Sequence, residues 1–270
     1  MAPSSLQSAA SGSPQRSREA VRTGAMHKEA ARISRLPPLL YPWHSEKKGS
    51  ITVPDLAACQ LVVFDFDGTL ANTAPCIIRT AETVLREAGL PEERMKDVPQ
   101  LIGPPFPQAF SQVFGYSAKD AQMITNRYRE IYSSLGPEAW PAFAGVKELL
   151  EALKASGRML AIASSKRMHL VEKSAKDAGI APFFSFIEGK RSDAPQTKAA
   201  TLALVLDEAG TESAVMIGDR HYDIDAAHAV GIPGIGVLWG RTAPREELEG
   251  AGAEAIAETP EELGKILGLA

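Results

Sequence analysis

From Leu61 onward the chain alternates between two hydrophobic rhythms. Short unbroken apolar runs occur at Leu61–Asp65 (LVVFD), Met159–Ala163 (MLAIA), Phe184–Ile187 (FSFI), Ala214–Ile217 (AVMI) and Gly234–Leu238 (GIGVL). Runs of this length without polar alternation suit parallel strands buried on both faces. Between them, apolar residues recur at spacings of three and four in Gly145–Gly157, Arg167–Gly179 and Thr197–Gly210, each closing on Gly as a helix does. Thr259, Pro260 and Glu262 set a capping box with Pro in the first helical position, which opens a last helix. Strands alternating with helices predict an α/β fold with a parallel sheet covered on both faces, and ligands in such folds bind beyond the carboxyl ends of the strands.

Two stretches depart from this rhythm. Thr73–Phe143 reads as helices with no clear strand: one over Cys76–Ala88, stopped by Gly89 and Pro91, and one over Ala118–Ser133 with Ser117 as N-cap. IGPPF (Ile102–Phe106) interrupts them as a turn. A helical insertion after the first strand stands over the strand ends as a lid. The first 58 residues are rich in Ser, Ala, Pro and Arg and show no period able to form a core. They are read as a weakly ordered extension, with an organelle transit peptide, a plain tail and a true start at Met26 all left open. Only LPPLLYPW (Leu36–Trp43) looks able to pack on the domain. The organisation expected is therefore an extension over 1–58, a catalytic core over 59–73 and 145–270, and a helical cap over 74–144.

Composition narrows the function classes. The 270 residues carry a net charge of −4, which gives no footprint for a nucleic-acid polymer. No apolar run reaches the roughly 18 residues of a membrane span. Cys59 and Cys76 are the two cysteines, read as reduced thiols of a cytoplasmic protein. The oligomeric state has no signature.

Chemistry gathers where three of the five predicted strands end. Asp65 and Asp67 close the first, and Gly68 turns the chain behind them. A turn explains Asp67-Gly68 but not a carboxylate at the end of an apolar strand, where it needs a partner. Asp219 and Asp223, after Ala214–Ile217, supply one: three acidic groups with no His or Cys ligand suit magnesium, which keeps waters and takes substrate phosphate. Asp225 falls on a helix surface. Ser164, Ser165 and Lys166 follow another strand, where a hydroxyl and free N–H groups can hold a phosphate. Lys198 opens an apolar helix and, taken alone, reads as solvated; Lys166, Lys190 and Arg191 are rival cations in nearby loops. Arg127, Tyr128 and Arg129 read as solvated on a cap helix. His221 reads as a plain loop histidine beside Asp219.

Together DFDGTL (Asp65–Leu70), Ser164, Lys198 and GDRHYD (Gly218–Asp223) resemble, in order, the four motifs of the haloacid-dehalogenase-like hydrolase superfamily, over roughly Leu61–Leu269. Within it the chain is similar to phosphoglycolate phosphatases and bacterial 5'-nucleotidases, through IGPP, GDR with its later Asp, GVLWG (Gly236–Gly240) and REELEGAGAEAIAETPEEL. Ala71-Asn72-Thr73, Phe143-Ala144-Gly145-Val146 and SDAPQTK depart from common forms of the group, which bears on cap closure and substrate. The resemblance implies a Rossmann-like core with an inserted α-helical cap and a Mg2+-dependent phosphomonoester hydrolase acting on a small molecule. It makes Asp65 the nucleophile and Asp67 the acid/base. Asp65, Asp219 and the Asp67 carbonyl become metal ligands, Ser164, Ser165 and Lys198 phosphoryl holders, and Asp223 a support. Gly103 and Pro104 of the cap are placed against substrate. A dehalogenase usually lacks the second Asp; a phosphomutase would share the core residues; a non-catalytic binding module normally loses one of the carboxylates kept here.

Overall fold

The computed structural model describes residues 55–192 and 196–269. In chain order they form β1 (Leu61–Phe64), α1 (Ala74–Glu87), α2 (Gln108–Phe114), α3 (Ala118–Ser133), α4 (Val146–Ala155), β2 (Met159–Arg167), α5 (Met168–Asp177), β3 (Phe186–Lys190), α6 (Lys198–Ala209), β4 (Ala214–Gly218), α7 (His221–Ala229), β5 (Gly234–Val237), α8 (Arg245–Gly250), β6 (Ala255–Ala257) and α9 (Pro260–Ile266). The sheet order is β3-β2-β1-β4-β5-β6, parallel at every pairing. The chain runs outward from β1 on one side and returns to fill the other. That reversal opens a crevice at the carboxyl ends of β1 and β4, where a doubly wound sheet takes its ligand.

All four residues of β1 are fully buried. Val62 and Phe64 pack into one cluster with the cap helices, while Leu61 and Val63 pack into a second with Leu202 and Val205 of α6. Burying each such side chain contributes about 1.5–3 kcal/mol, and alternate residues serving opposite layers are why the run carries no polar position. Thr259 accepts from the Glu262 N–H at 3.2 Å and so caps α9 as its sequence indicates, and Ser117 accepts from the Asp120 N–H at 3.1 Å at the start of α3.

Several local readings shift. The third strand is Phe186–Lys190 rather than Phe184–Ile187, because Phe184 closes a 3-10 turn by donating to the Ala181 carbonyl. β6, three residues long, lay hidden among the acidic residues around it. Before and after IGPPF the cap adds a 3-10 helix, Glu92–Leu101, and the short α2, both too brief and too rich in Pro and polar residues to carry a clear period. Residues 56–58, within the stretch read as an extension, form a 3-10 turn, tied down by Arg158, which donates to the carbonyls of Ala57, Cys59 and Leu267. The remaining readings of the N-terminal stretch, Leu36–Trp43 included, lie outside the described residues. Cys59 and Cys76 are both buried free thiols. Among the described residues no helix is long and apolar enough to cross a membrane.

Candidate active site

The floor of the crevice is built by the turn after β1. Asp65 donates its N–H to the Ile217 carbonyl of β4 at 2.9 Å and so extends the sheet by one residue. The chain then folds back, Leu70 and Ala71 both donating to the Phe66 carbonyl. Gly68 makes the fold-back possible: its φ is +80°, and a Cβ there would lie 2.2 Å from Asp219 Oδ2. Any side chain at this position would meet both an unfavourable φ and that clash. The turn is pinned from the other side by Trp239, whose Nε1 donates to the Thr69 carbonyl at 2.8 Å.

Onto this floor β4 delivers Asp219 and α7 delivers Asp223. Carboxylate oxygens of Asp65, Asp219 and Asp223, all three buried, lie within 4.8 Å of one another. Asp219 accepts from the Thr69 hydroxyl at 3.1 Å and from the Thr242 hydroxyl. Lys198, the first residue of α6, reaches in with its side chain only 9% exposed and lies 2.8 Å from Asp65 Oδ1 and against Asp223 Oδ1. Its solvated reading is overturned: α6 points its first turn at the cluster instead of at water. The contacts are ionic more than directional, since neither carboxylate oxygen receives a well-aligned hydrogen bond.

One ammonium does not balance this much buried acid. Burial pushes the Asp65 carboxyl up to about 6, Lys198 opposing and Asp223 and Asp67 adding to the rise. Burial, with Asp223 and Asp65 beside it, holds Asp219 well above the carboxylate range. Burial pulls Lys198 down, but Asp223 and Asp65 outweigh it and the ammonium is held above the ordinary lysine value. Three oxygen donors, no sulfur or imidazole among them, and a charge deficit fit a hard divalent cation such as magnesium.

The wall comes from the end of β2, whose pairing with β3 slips between Ala163 and Arg167. Ser164 is buried and accepts from the Lys166 N–H at 3.2 Å. Ser164, Ser165, Lys166 and Arg167 all line the cavity over Asp65. Lys166 and Lys190, expected in loops, lie on β2 and β3, and Lys190 is buried. Lys166 Nζ lies 2.6 Å from Asp67 Oδ1 and donates to the Tyr132 hydroxyl at 2.8 Å.

The cap closes the cavity from above. Gly103, Pro104 and Pro105 line it, as do Tyr128, Arg129 and Tyr132 of α3. The solvated reading holds for Arg127, which pairs with Glu87 and Glu130, but not for Tyr128, which is 5% exposed, nor for Arg129. An aromatic row runs Phe110, Phe106, Tyr128, Tyr132, Trp140, with successive ring centroids 4.7, 4.9, 5.3 and 5.3 Å apart. The Gly-Pro-Pro turn is tied to the floor by Arg220, which donates to the Ile102 carbonyl at 2.5 Å and to Glu247 at 2.8 Å. His221 also meets Glu247, at 2.9 Å, and is not part of the cluster; Asp225 is exposed.

Residues 62–237 match the family described as haloacid dehalogenase-like hydrolase. The chain belongs to that family. A 5'-nucleotidase of Pseudomonas aeruginosa is 34% identical over 182 residues, 66% of this chain and 82% of that one. A phosphoglycolate phosphatase of Caulobacter vibrioides is 28% identical over 206 residues, 72% of this chain and 85% of that one. The crystal structure of a predicted phosphatase from Clostridium acetobutylicum superposes with a TM-score of 0.72 at 28% identity, over 77% of this chain and 97% of that one. This haloacid dehalogenase-like hydrolase thus has the fold and the motif order its sequence indicates. Thr69, Thr242, Tyr132 and Arg220 were not singled out. Thr69 stood within DFDGT and Arg220 within GDRHYD, so a signal existed; Thr242 and Tyr132 reach the site only through the fold and have none.

Proposed function

We propose that this hydrolase cleaves phosphate monoesters with Mg2+, through an aspartyl phosphate on Asp65. The observation that carries the reading is the meeting of Asp65, Asp219, Asp223 and Lys198 at the ends of β1 and β4. A carboxylate oxygen of Asp65 attacks phosphorus, the P–O bond to the leaving alkoxide breaks, and Asp67 gives that alkoxide a proton. Asp67 then takes a proton from water as the water oxygen attacks the aspartyl phosphate. The acyl-phosphate P–O bond breaks, and Asp65 and inorganic phosphate are released. Ser164, the N–H groups around Ser165 and Lys198 hold phosphoryl oxygens where charge spreads. Asp65, Asp219 and the Asp67 carbonyl would hold the cation, and Asp223 fixes Lys198. The cation's contribution is to neutralise the repulsion between the Asp65 carboxylate and the incoming phosphate.

For the substrate we favour a small acid-bearing monoester of the phosphoglycolate kind. Arg129, Arg167 and Lys190 line the same cavity as the nucleophile, which suits a carboxylate beside the phosphate. Gly103 and Pro104 bound the side of the cavity that the rest of the substrate occupies. The second reading, a nucleoside monophosphate, is favoured by Tyr222, 40% exposed at the cavity mouth, on which a base can stack. Phosphate release from phosphoglycolate, a nucleoside monophosphate and an aryl phosphate, each with and without magnesium, tests both. The reading stands if release needs magnesium and phosphoglycolate has the highest kcat/KM. It falls if no monoester is cleaved or if chelation leaves the rate unchanged.

A further inference from the structure

Lys166 has no part in the chemistry just described, yet it is held by both layers of the molecule. It rises from β2 in the core, its side chain 7% exposed. Its ammonium lies 2.6 Å from Asp67 Oδ1 and 2.8 Å from the Tyr132 hydroxyl, and it sits 5.1 Å from the Phe66 ring centroid and 4.8 Å from that of Tyr132. Asp67 and Phe66 belong to the turn after β1; Tyr132 belongs to α3 of the cap. A buried ammonium is costly to hold in place and persists when several directed partners compensate. Here those partners are the acid/base carboxylate, an aromatic box and one hydroxyl carried by the lid.

We propose that Lys166 and Tyr132 are positioning residues for Asp67: Tyr132 carries the cap's placement to Lys166, and Lys166 fixes the Asp67 carboxylate in its proton-donating orientation. Tyr132 is suited to this because its own ring has little freedom. It stacks on Tyr128 at 5.3 Å with the planes 19° apart and meets Trp140, which is fully buried, at 5.3 Å. The hydroxyl is therefore located by the packing of the whole cap. When the cap moves, the hydroxyl leaves Lys166, and the ammonium loses one of the partners that define its position. Anchoring one oxygen of Asp67 removes the torsional freedom of that side chain, and proton transfer depends steeply on such alignment. The arrangement makes general-acid catalysis strongest when the lid is seated over substrate.

This inference rests on the phosphatase reading above, and its test separates the two. The parent, Tyr132→Phe, Lys166→Met, Lys166→Arg, Tyr132→Phe/Lys166→Met and Asp65→Asn proteins are compared by kcat/KM for phosphoglycolate, a poor leaving group, and for an aryl phosphate, a good one. Leaving-group protonation matters for the first and little for the second. Tyr132→Phe keeps the ring, so it is expected to melt like the parent. It should lose about tenfold on phosphoglycolate, a fraction of the roughly 10²–10⁴-fold that a well-placed acid contributes in full, because Asp67 itself is kept, and under threefold on the aryl ester. Lys166→Arg should retain more of the phosphoglycolate rate than Lys166→Met does. The double variant should be no worse than Lys166→Met, because Tyr132 acts through Lys166. The proposal is overturned if Tyr132→Phe matches the parent, if both esters fall by the same factor, or if the two losses multiply in the double variant. Turnover surviving in Asp65→Asn overturns the assignment of Asp65 as nucleophile instead, and a parent that cleaves neither ester overturns the phosphatase reading, whatever Tyr132→Phe does.

Discussion

The floor and the lid of the cavity are made of different materials. The floor packs Asp65, Asp219, Asp223 and Lys198 into a space where carboxylate oxygens stand within 4.8 Å, and it fixes them with backbone and short side chains: a strand extended by one residue, a fold-back through Gly68, hydroxyls of Thr69 and Thr242 on Asp219. The lid presents rings and prolines. Its aromatic row is held by packing, and directed polar links, Lys166 to Tyr132 and Arg220 to Ile102 among them, connect it to the core. The difference matters because the two kinds of structure fail differently. A floor residue is tied to a charge or to a turn, so under the mechanism proposed above its replacement should remove a step of the reaction. A lid residue is tied to shape, so its replacement changes which molecules fit and how firmly the cap is held.

The largest effect is expected at the floor. Asp65→Asn should reduce turnover by up to about 10⁶-fold, the scale seen when a covalent nucleophile is removed, with circular dichroism unchanged. The variant also removes a buried carboxyl held at about 6, so its melting temperature at pH 8 in chelator should equal or exceed the parent's. A folded Asp65→Asn protein that still releases phosphate would mean that the nucleophile lies elsewhere.

Magnesium should act on the floor next. Chelation is expected to stop turnover and added magnesium to restore it, and magnesium should raise the melting temperature of the parent but not of Asp219→Asn, by mass action on the folded state. The same charge deficit fixes a pH effect. Asp65 folded titrates at about 6, above the roughly 3.9 of an unfolded aspartate. Between those values the folded state holds the extra proton, so in chelator stability should rise as pH falls through 6 and level off below 4. Magnesium, by competing with that proton, should flatten the rise. A metal-free protein that melts higher at pH 8 than at pH 5 would show that another group governs the acid limb.

The same contrast explains what could be read from the chain alone. Asp65, Asp67 and Asp219 were legible because each follows an apolar run that ends abruptly in acid, a local signal. Lys198 was legible only through the order of motifs, since nothing near QTK marks a lysine that folds inward. The lid was readable as helical but not as a surface. Tyr128 and Arg129 sit beside Arg127 in one helical turn, yet Tyr128 is buried, Arg129 lines the cavity and Arg127 pairs at the surface. A 3.6-residue period distributes neighbours to different faces, and which face meets the floor depends on how the cap sits, a long-range fact. β6 and the 3-10 helix Glu92–Leu101 failed for a related reason: each is short and mostly stabilised by what it lands on.

A purely structural effect of intermediate size tests whether the lid is one packed unit. Trp140 is completely buried between Tyr132 and Lys173, whose ammonium lies 4.7 Å from a ring centroid. Trp140→Ala should cost about 3–5 kcal/mol, readable as a lower urea midpoint. If the cap is held by packing, as the aromatic row indicates, Trp140→Phe should recover most of that loss. A Trp140→Ala protein as stable as the parent would show that the row contributes shape without stability.

The smallest effects should fall where lid meets floor, and there two adjacent residues are expected to behave oppositely. Gly103 has φ +108°, and a Cβ would stand 2.6 Å from Arg220 Nη1. Arg220 directly follows Asp219 and donates its own N–H to Asp223 Oδ2 at 3.0 Å, so whatever displaces its guanidinium pulls on the acidic cluster. By this geometry Gly103 serves the floor although it belongs to the cap. Gly103→Ala combines backbone strain, about 1–3 kcal/mol at such a φ, with loss of the Arg220 bond to Ile102. It should lower kcat/KM several-fold for phosphoglycolate, a nucleoside monophosphate and an aryl phosphate alike. Pro104 lines the cavity and figures in no such bond to the floor. Pro104→Gly relaxes the turn's fixed φ and raises the ordering cost of presenting it to substrate, which affects only molecules large enough to touch it. It should change the ratio between phosphoglycolate and the nucleotide while the aryl phosphate stays within about twofold, since discrimination comes only from groups that the substrate touches. If Gly103→Ala re-ranks the substrates and Pro104→Gly lowers all three together, the assignment is reversed: the glycine is then the selective element and the proline only holds the turn in place.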